Sequence, residues 1–226
     1  QWIQTPGKCM QMQDGIPFGI KYPDYDDGLT GLMLNEIKEY VRTVSEGIYG
    51  ENFKDDSDGY AKYLDVKSFI DYWIVFEVMI NHELGNPGSV FLHKSADGKL
   101  TAGPIWDFDW GVLSYNVSPQ ARNGLVNRDS FWYARLFDDP DFKAAVKSRW
   151  NELLPQLKTI PAFIDEMEKT LQTSAELNFK MWDPAEDASQ NGGVIVNGDE
   201  RMTYNAAVER LKKIYEERLE IISKNL

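Results

Sequence analysis

The sequence predicts an α+β fold that is mostly helical and carries one small β-hairpin. Several long segments place apolar side chains at steps of three and four residues, which is the spacing of one helix face. Two short apolar segments, residues 89–93 and 99–107, flank the turn at Asp97-Gly98, and this arrangement indicates a hairpin. With 226 residues, 42% of them hydrophobic, the chain has ample material for a core. We therefore expect residues 1–226 to form a single domain.

The predicted elements follow one another in a simple order. Residues 1–27 are rich in glycine and proline, so we expect irregular chain with one or two short strands. Residues 112–129 and 184–200 are polar and are expected to be loops, the second with a small hairpin. The predicted helices are Leu29–Ile48, Val66–His82, Ser130–Phe137, Pro140–Leu154, Ile160–Met181 and Thr203–Lys224. The residues expected to cap helices are Asp65, Ser130 and Asp139.

Two of these helices carry distinctive apolar patterns. Val66–His82 is apolar nearly all round, which predicts that it is the central buried helix. Glu77 is the exception inside it, because an ionised carboxylate in apolar surroundings is costly unless it is paired. We expect a structural ion pair between Glu77 and an arginine from elsewhere in the chain. In Ile160–Met181 the predicted core-facing stripe is Phe163, Ile164, Met167, Leu171 and Leu177.

Composition excludes several classes of function. The 36 acidic residues exceed the 24 lysines and arginines, for a net charge of -12. This balance argues against binding to nucleic acid or to an anionic membrane, both of which favour a basic surface. No segment approaches the roughly 20 apolar residues that a membrane-spanning helix needs. Cys9 is the only cysteine, so no intrachain disulfide and no cysteine metal cluster is expected.

Common catalytic motifs are also missing from the sequence. There is no nucleophile elbow, phosphate-cradling glycine loop, dinucleotide fingerprint or His-Glu-x-x-His pair. His82 and His93 are too isolated to predict zinc. The acidic run at 55–59 resembles a calcium loop, but Lys54 stands where the first ligand should be. Carboxylate and amide oxygens remain as the candidate chemistry.

The segment Lys99–Gly111, KLTAGPIWDFDWG, carries the strongest functional signal. Asp107 and Asp109 alternate with aromatic residues, so in an extended chain both carboxylates point to one face. Hard oxygen ligands of this kind suit Mg²⁺ or Mn²⁺. The alternative is that both acids are ordinary edge residues. Further candidate ligands follow the central helix: Asn81, Glu83 and Asn86.

These residues resemble the CotH family, which is named for a spore coat protein. Its members are treated as atypical, protein-kinase-like enzymes and also occur as secreted or surface proteins of bacteria. The run GKL followed by GPIWDFD is the strongest match. The matching segments keep the family's order along nearly the whole chain: Ile16–Asp24, Asn81-His82-Glu83, Asp97–Leu100, Gly103–Asp109, Arg210-Leu211 and Arg218-Leu219.

The resemblance implies a kinase-like architecture in which this chain is similar to the C-terminal, mostly helical lobe. Asp107 would match the metal-binding aspartate of a kinase DFG triplet, which bridges Mg²⁺ to the nucleotide phosphates. Asp109 would be a second metal ligand or would support the first. Glu83 would be the catalytic base, with Asn81 as its orienting neighbour. The implied cofactors are Mg²⁺ and ATP, and the implied partners are a nucleotide and a protein substrate.

The chain departs from the family pattern in two places. The family usually reads Asn-x-Asp where this chain has Glu83, and the loop that leads to Ser89 is shortened. A displacement of about 1 Å can cost on the order of 10²-fold in rate. Residues 1–60 also lack the basic, glycine- and asparagine-containing strand segment that holds the phosphates in relatives. Two explanations stay open: excision from a longer protein, or a degenerate member of the family.

Two functional hypotheses therefore stand side by side. The first is a Mg²⁺- and ATP-dependent phosphotransferase whose N-terminal nucleotide clamp is missing from this chain. The second is a noncatalytic secreted or surface protein that binds another protein or a glycan. Exposed aromatics can stack on sugars, and the candidates are Trp2, Trp132, Trp182 and the tyrosines, although we expect most of them to pack in the core. The resemblance implies an extracytoplasmic location, either secreted, cell-surface or periplasmic, with a lipoprotein precursor as one source.

Overall fold

The computed structural model describes residues 8–11, 15–88, 90–108, 111–182 and 202–226. It is a mostly helical α+β structure with two small antiparallel sheets, so the predicted fold class is confirmed at that level. The helices are α1 (Gly31–Tyr49), α2 (Tyr60–Tyr63), α3 (Val66–Val78), α4 (Tyr133–Leu136), α5 (Pro140–Leu157), α6 (Ile160–Met181) and α7 (Tyr204–Asn225). The strands are β1 (Cys9–Gln11), β2 (Pro17–Gly19), β3 (Leu92–His93) and β4 (Thr101–Ala102). Single 3-10 turns lie at Tyr25–Asp27, Glu83–Gly85 and Pro119–Arg122.

Both predicted β regions are present and short. β1 pairs with β2 so that Met10 lies opposite Phe18. β3 pairs with β4 so that Leu92 lies opposite Ala102. The hairpin stops at Ala102, well before its predicted end, because Pro104 has no N–H to donate to a strand ladder. The predicted hairpin is therefore confirmed, but it does not extend to the acidic residues.

Helix α3 is the centre of the core, as predicted. Phe69, Trp73 and Phe76 are almost fully buried, and the helix packs against β4, α5 and α7. Asp65 caps it as expected, since its Oδ1 accepts a hydrogen bond from the Ser68 N–H at 3.1 Å. Burial on nearly every side explains why the sequence is apolar all round.

The end of α3 differs from the prediction. The helix ends at Val78 rather than His82, and Ile80 adopts a left-handed backbone with φ 55°. The Ile80 N–H donates to the Glu77 carbonyl at 3.3 Å, and the Asn81 N–H donates to the Phe76 carbonyl at 2.9 Å. This pair of bonds is a Schellman cap. The apolar pattern continues past it because Ile80 is buried, although its backbone has left the helix.

The later helices agree with prediction in position but not in every detail. Asp139 caps α5, with its Oδ1 accepting from the Asp141 N–H at 3.0 Å, and α5 runs on through Pro155. The predicted cap at Ser130 is wrong, because α4 begins later and has no side-chain cap. Thr203 caps α7 through the Ala206 N–H.

Helix α6 has the predicted bounds but not the predicted buried stripe. It packs along α7, and none of its residues is buried. Phe163 and Leu177, expected to face a core, are 55% and 57% exposed. An amphipathic pattern shows which side of a helix is apolar, but not whether another element covers that side. The loop predicted at 184–200 lies outside the described residues.

Within the described ranges, no helix combines the length and the hydropathy that a bilayer-spanning segment requires.

Candidate functional site

The loop that follows α3 holds two of the predicted site residues together. Asn81 is buried, and its Oδ1 accepts a hydrogen bond from the Glu83 N–H at 2.9 Å. Its carbonyl oxygen accepts from Asn127 Nδ2 at 2.8 Å. Asn86 closes the turn by donating its N–H to the Glu83 carbonyl at 3.0 Å. The backbone of Glu83 is therefore fixed from both sides.

The Glu83 carboxylate is partly buried and lies beside a glycine and a tyrosine. A Cβ on Gly88 would be 4.0 Å from Glu83 Oε1. Burial raises the pKa of Tyr72, and the negative charge of Glu83 raises it further. The Tyr72 hydroxyl thus stays protonated at neutral pH.

Asp107 lies on the segment after β4, and its backbone is not extended. It has φ 62°, in the left-handed region that non-glycine residues rarely adopt. Residues 103–108 pair with no strand, so the prediction that Asp107 alternates with its neighbours across one face is wrong at this position. Strained backbone of this kind costs about 1–3 kcal/mol and is concentrated at functional sites.

Aromatic contacts anchor the residues on either side of Asp107. The Phe108 ring meets Phe76 of α3 edge-on, with centroids 4.9 Å apart. The Trp106 ring meets Phe91 in the same way at 5.9 Å. Further along, the Leu113 N–H donates to the Met79 carbonyl at 2.7 Å. The segment therefore crosses the C-terminal end of α3, from which the Asn81–Glu83 loop also leaves.

Asp107 is exposed, and among the described lysines and arginines none forms an ion pair with it. Asp109 lies outside the described residues. Elsewhere in the described ranges, one group of three acids is close enough to share an ion: Asp165, Glu168 and Glu209. Lys212 pairs with Asp165 and Glu209 of this group, at 2.5 and 2.6 Å, so a lysine ammonium already lies against two of the three carboxylates. The metal-binding roles of Asp107 and Asp109 stay predictions.

Glu77 has the partner that its burial required. Arg218 of α7 pairs with its carboxylate, and both side chains are fully buried. The carboxylate also accepts from the Val126 and Asn127 N–H groups at 2.6 and 2.9 Å. Burial raises the pKa of Glu77, and the Arg218 charge and these N–H donors oppose that rise. The expected structural ion pair is confirmed. Asn127 links it to the Asn81–Glu83 loop, because its N–H donates to Glu77 and its Nδ2 donates to the Asn81 carbonyl.

A shallow groove of about 560 Å³ adjoins the Asp107 segment. Tyr72 and Val75 of α3 form one wall, and His93 and Ile105 form the other. Most of its lining is apolar, and Asn81, Glu83 and Asp107 are not among its lining residues.

The predicted sugar-stacking tryptophans have different fates. Trp132 is fully buried between Phe18 and Phe69, with ring centroids 5.5 and 6.0 Å away, so it has the core-packing role and offers no face to a sugar. Trp182 is 67% exposed. Trp2 lies outside the described residues.

Sequence analysis missed two residues that contact or influence the Asn81–Glu83 loop, Asn127 and Tyr72. An asparagine in a polar loop and a tyrosine in an apolar helix carry no distinguishing pattern.

The family model described as CotH kinase protein matches residues 17–222. This span contains both candidate segments and every described helix except the last three residues of α7. The chain belongs to the CotH kinase protein family. Comparison with curated proteins and with solved structures gives no match. The resemblance expected from sequence is therefore confirmed, and within this CotH domain the candidate residues are Asn81, Glu83, Asp107 and Asp109.

Proposed function

We propose that this CotH chain is the acid-bearing part of a Mg²⁺- and ATP-dependent phosphotransferase. The observation that carries the proposal is the meeting of two segments at one end of α3. One segment holds Glu83 through Asn81, and the other presents Asp107 exposed and on a strained backbone. Family membership supports the same reading, since the match spans both segments.

The chemistry of the donors fits this proposal. Carboxylate and amide oxygens are the ligands that Mg²⁺ prefers. Asp107, with Asp109 beside it in sequence, would hold the metal that neutralises phosphate charge in such enzymes. Glu83 would accept the proton of the attacking hydroxyl, and Asn81 would keep its backbone in place. The Tyr72 hydroxyl, whose pKa is raised by burial and by the negative charge of Glu83, stays protonated and can donate a hydrogen bond.

A second candidate function follows from the exposed aromatic residues. Trp182 and Trp106 are 67% and 54% exposed, which suits stacking against a glycan or contact with another protein. On this reading the chain keeps the kinase-like scaffold without catalysis, and the Glu83 substitution for aspartate is a sign of lost activity. For either function we propose an extracytoplasmic location, which rests on the resemblance to secreted and surface members.

Titration calorimetry of MgATP into the protein separates the two candidates. Asp107→Asn should weaken binding by about tenfold or more, which is at least about 1.4 kcal/mol, because it removes the charge that holds the metal. Asp97→Asn is the matched control, an exposed aspartate on the hairpin turn. It should bind like the wild type, and omission of Mg²⁺ should abolish the difference.

A version extended at its N-terminus should be titrated in parallel. Stronger binding by that version would indicate a nucleotide clamp upstream of this chain. If neither version binds MgATP, the phosphotransferase proposal fails and glycan or protein ligands take its place. If both bind and Asp107→Asn binds equally well, the assignment of Asp107 is wrong.

A further inference from the structure

We propose that Asn127 is a positioning residue that holds the Asn81–Glu83 loop in the geometry the reaction needs. The inference rests on the proposed function, because it names a further residue for the same site. Asn127 acts through Asn81, and its own role is to hold the loop.

The contacts of Asn127 lead directly to Glu83. Asn127 is fully buried, and its Nδ2 donates to the Asn81 carbonyl at 2.8 Å. Asn81 in turn accepts from the Glu83 N–H through Oδ1 at 2.9 Å. Asn81 follows the left-handed Ile80, beyond the last helical residue of α3, so the helix itself does not hold its carbonyl. The Asn81 N–H is bonded to the Phe76 carbonyl, and the side-chain hydrogen bond from Asn127 holds the other end of the residue that orients Glu83.

Asn127 itself is held by the buried ion pair. Its N–H donates to Glu77 Oε2 at 2.9 Å, and Glu77 pairs with Arg218. Arg218 Nη1 also donates to the carbonyls of Ala121 and Gly124 at 2.8 and 2.7 Å. The segment that carries Asn127 is thus tied to α3 and α7 and cannot follow the loop if the loop shifts. A buried hydrogen-bond network of this kind favours a single geometry.

The Asn127 side-chain oxygen, Oδ1, gives a second reason to assign this role. In the described part of the chain its Oδ1 has no hydrogen-bond partner, although it is buried. A buried polar atom without a partner is costly. An apolar side chain would fill this buried position without leaving an oxygen unpaired. The hydrogen bond that Asn127 Nδ2 donates to the Asn81 carbonyl explains why an amide is present instead.

The role predicts a specific kinetic signature. Loss of the bond to Asn81 lets the loop relax and moves the Glu83 carboxylate away from the reacting hydroxyl. A displacement of about 1 Å can reduce the rate on the order of 10²-fold. Nucleotide binding should be little affected, because Asp107 lies on a separate segment that Phe76 and the Met79 carbonyl anchor.

The test compares Asn127→Ala with Ser118→Ala. Ser118 is a matched control, since it lies in the same stretch, is fully buried, and has a hydroxyl without a partner among the described residues. The assay is ADP release from MgATP with casein as the acceptor protein. Asn127→Ala should lower kcat by about 10- to 100-fold with the KM for MgATP unchanged. Ser118→Ala should leave both constants unchanged.

A second variant and a second measurement keep the test decisive. Asn127→Leu roughly keeps the size of the side chain but has no group that can donate to the Asn81 carbonyl, so it should lower kcat similarly and decides the matter if Asn127→Ala does not fold. Hydrogen exchange at the Glu83 amide gives a readout without activity. Both Asn127 variants should speed that exchange, and Ser118→Ala should not.

The proposal is overturned if folded Asn127 variants keep the wild-type kcat, or if KM rises as much as kcat falls. An equal loss in Ser118→Ala would also overturn it, since that would indicate general loosening. If the wild type neither binds MgATP nor releases ADP, the proposed function fails separately. Unchanged exchange at the Glu83 amide would then overturn the positioning role of Asn127 as well.

Discussion

Asp71 shows how a single partly exposed side chain ties two helices together. On α3, its carboxylate accepts from Arg149 of α5 at 2.7 Å (Nε) and 3.2 Å (Nη2). Lys67 Nζ donates to the same carboxylate at 2.7 Å. Burial alone would raise the pKa of Asp71, but these two cations outweigh it and hold the pKa below its ordinary value.

Asp71→Asn should therefore destabilise the protein in a pH-dependent way. A depressed pKa in the folded state contributes stability that is present above the unfolded pKa of about 4 and lost as the pH falls through the folded value. We expect a loss of about 1 kcal/mol in unfolding free energy at neutral pH, shrinking towards zero in acid. Urea unfolding at several pH values measures it. Asp97→Asn should show only a small effect, and a pH-independent loss for Asp71→Asn would contradict the ion-pair explanation.

The C-terminal end of helix α3 is where the fold departs most from its apolar pattern. Ile80 is a β-branched residue in a left-handed conformation, at the position of a Schellman cap that glycine usually occupies. The backbone cost is offset by complete burial of the side chain. The element therefore ends where tertiary packing requires, and its end directs Asn81 towards Asn127.

The backbone state of Ile80 can be tested by comparing two truncations. Ile80→Gly should be more stable than Ile80→Ala by about 1 kcal/mol, because glycine adopts the left-handed region without steric cost. Ile74, in the middle of α3, is the matched control. There the order should reverse, with alanine more stable than glycine by about 1 kcal/mol. Chemical denaturation gives both differences, and the same order at the two positions would contradict the left-handed assignment.

Helix α7 is the last element of the fold, and its arginines bond to residues near both candidate segments. Arg218 reaches Glu77 across 141 residues of sequence, and Arg210 Nη1 donates to the Leu113 carbonyl at 3.3 Å. The Arg218–Glu77 contact is linked to the Asn81–Glu83 loop through Asn127. The Arg210–Leu113 contact holds the segment that follows Asp107. The stability of the whole fold and the geometry of the candidate site therefore depend on the same helix.

Removing the Arg218 side chain should be far more costly than removing an exposed arginine. Arg218→Met leaves the Glu77 carboxylate buried without its cation, so we expect a loss of about 3–5 kcal/mol in unfolding free energy. Arg42→Met is the control, because its ion pairs on α1 are exposed and should contribute about 1 kcal/mol or less. Combining Arg218→Met with Glu77→Met should cost less than the sum of the single changes. Strict additivity would show that the two side chains are not coupled.

The sequence predicted the elements whose causes are local. Asp65 and Asp139 were identifiable as caps because a short acceptor before an apolar run satisfies the first N–H groups of a helix. The burial of Glu77 implied an arginine, and the family resemblance came from residues such as Asp107 and Arg218. These features depend on residues that are close together in the sequence, so they can be recognised from the spacing of residue types.

Other features were decided only by tertiary structure. The choice of Arg218 for Glu77, the bond from Asn127 to Asn81, the left-handed turns at Ile80 and Asp107, and the exposure of α6 all depend on segments far apart in sequence. A contact between distant segments adds no periodicity to either of them, so no local pattern could show it. The sequence by itself determined the long helices, the caps at Asp65 and Asp139, and the family of this protein. Only packing around α3 and α7 decided how the candidate residues are held, because those contacts exist only once the chain has folded.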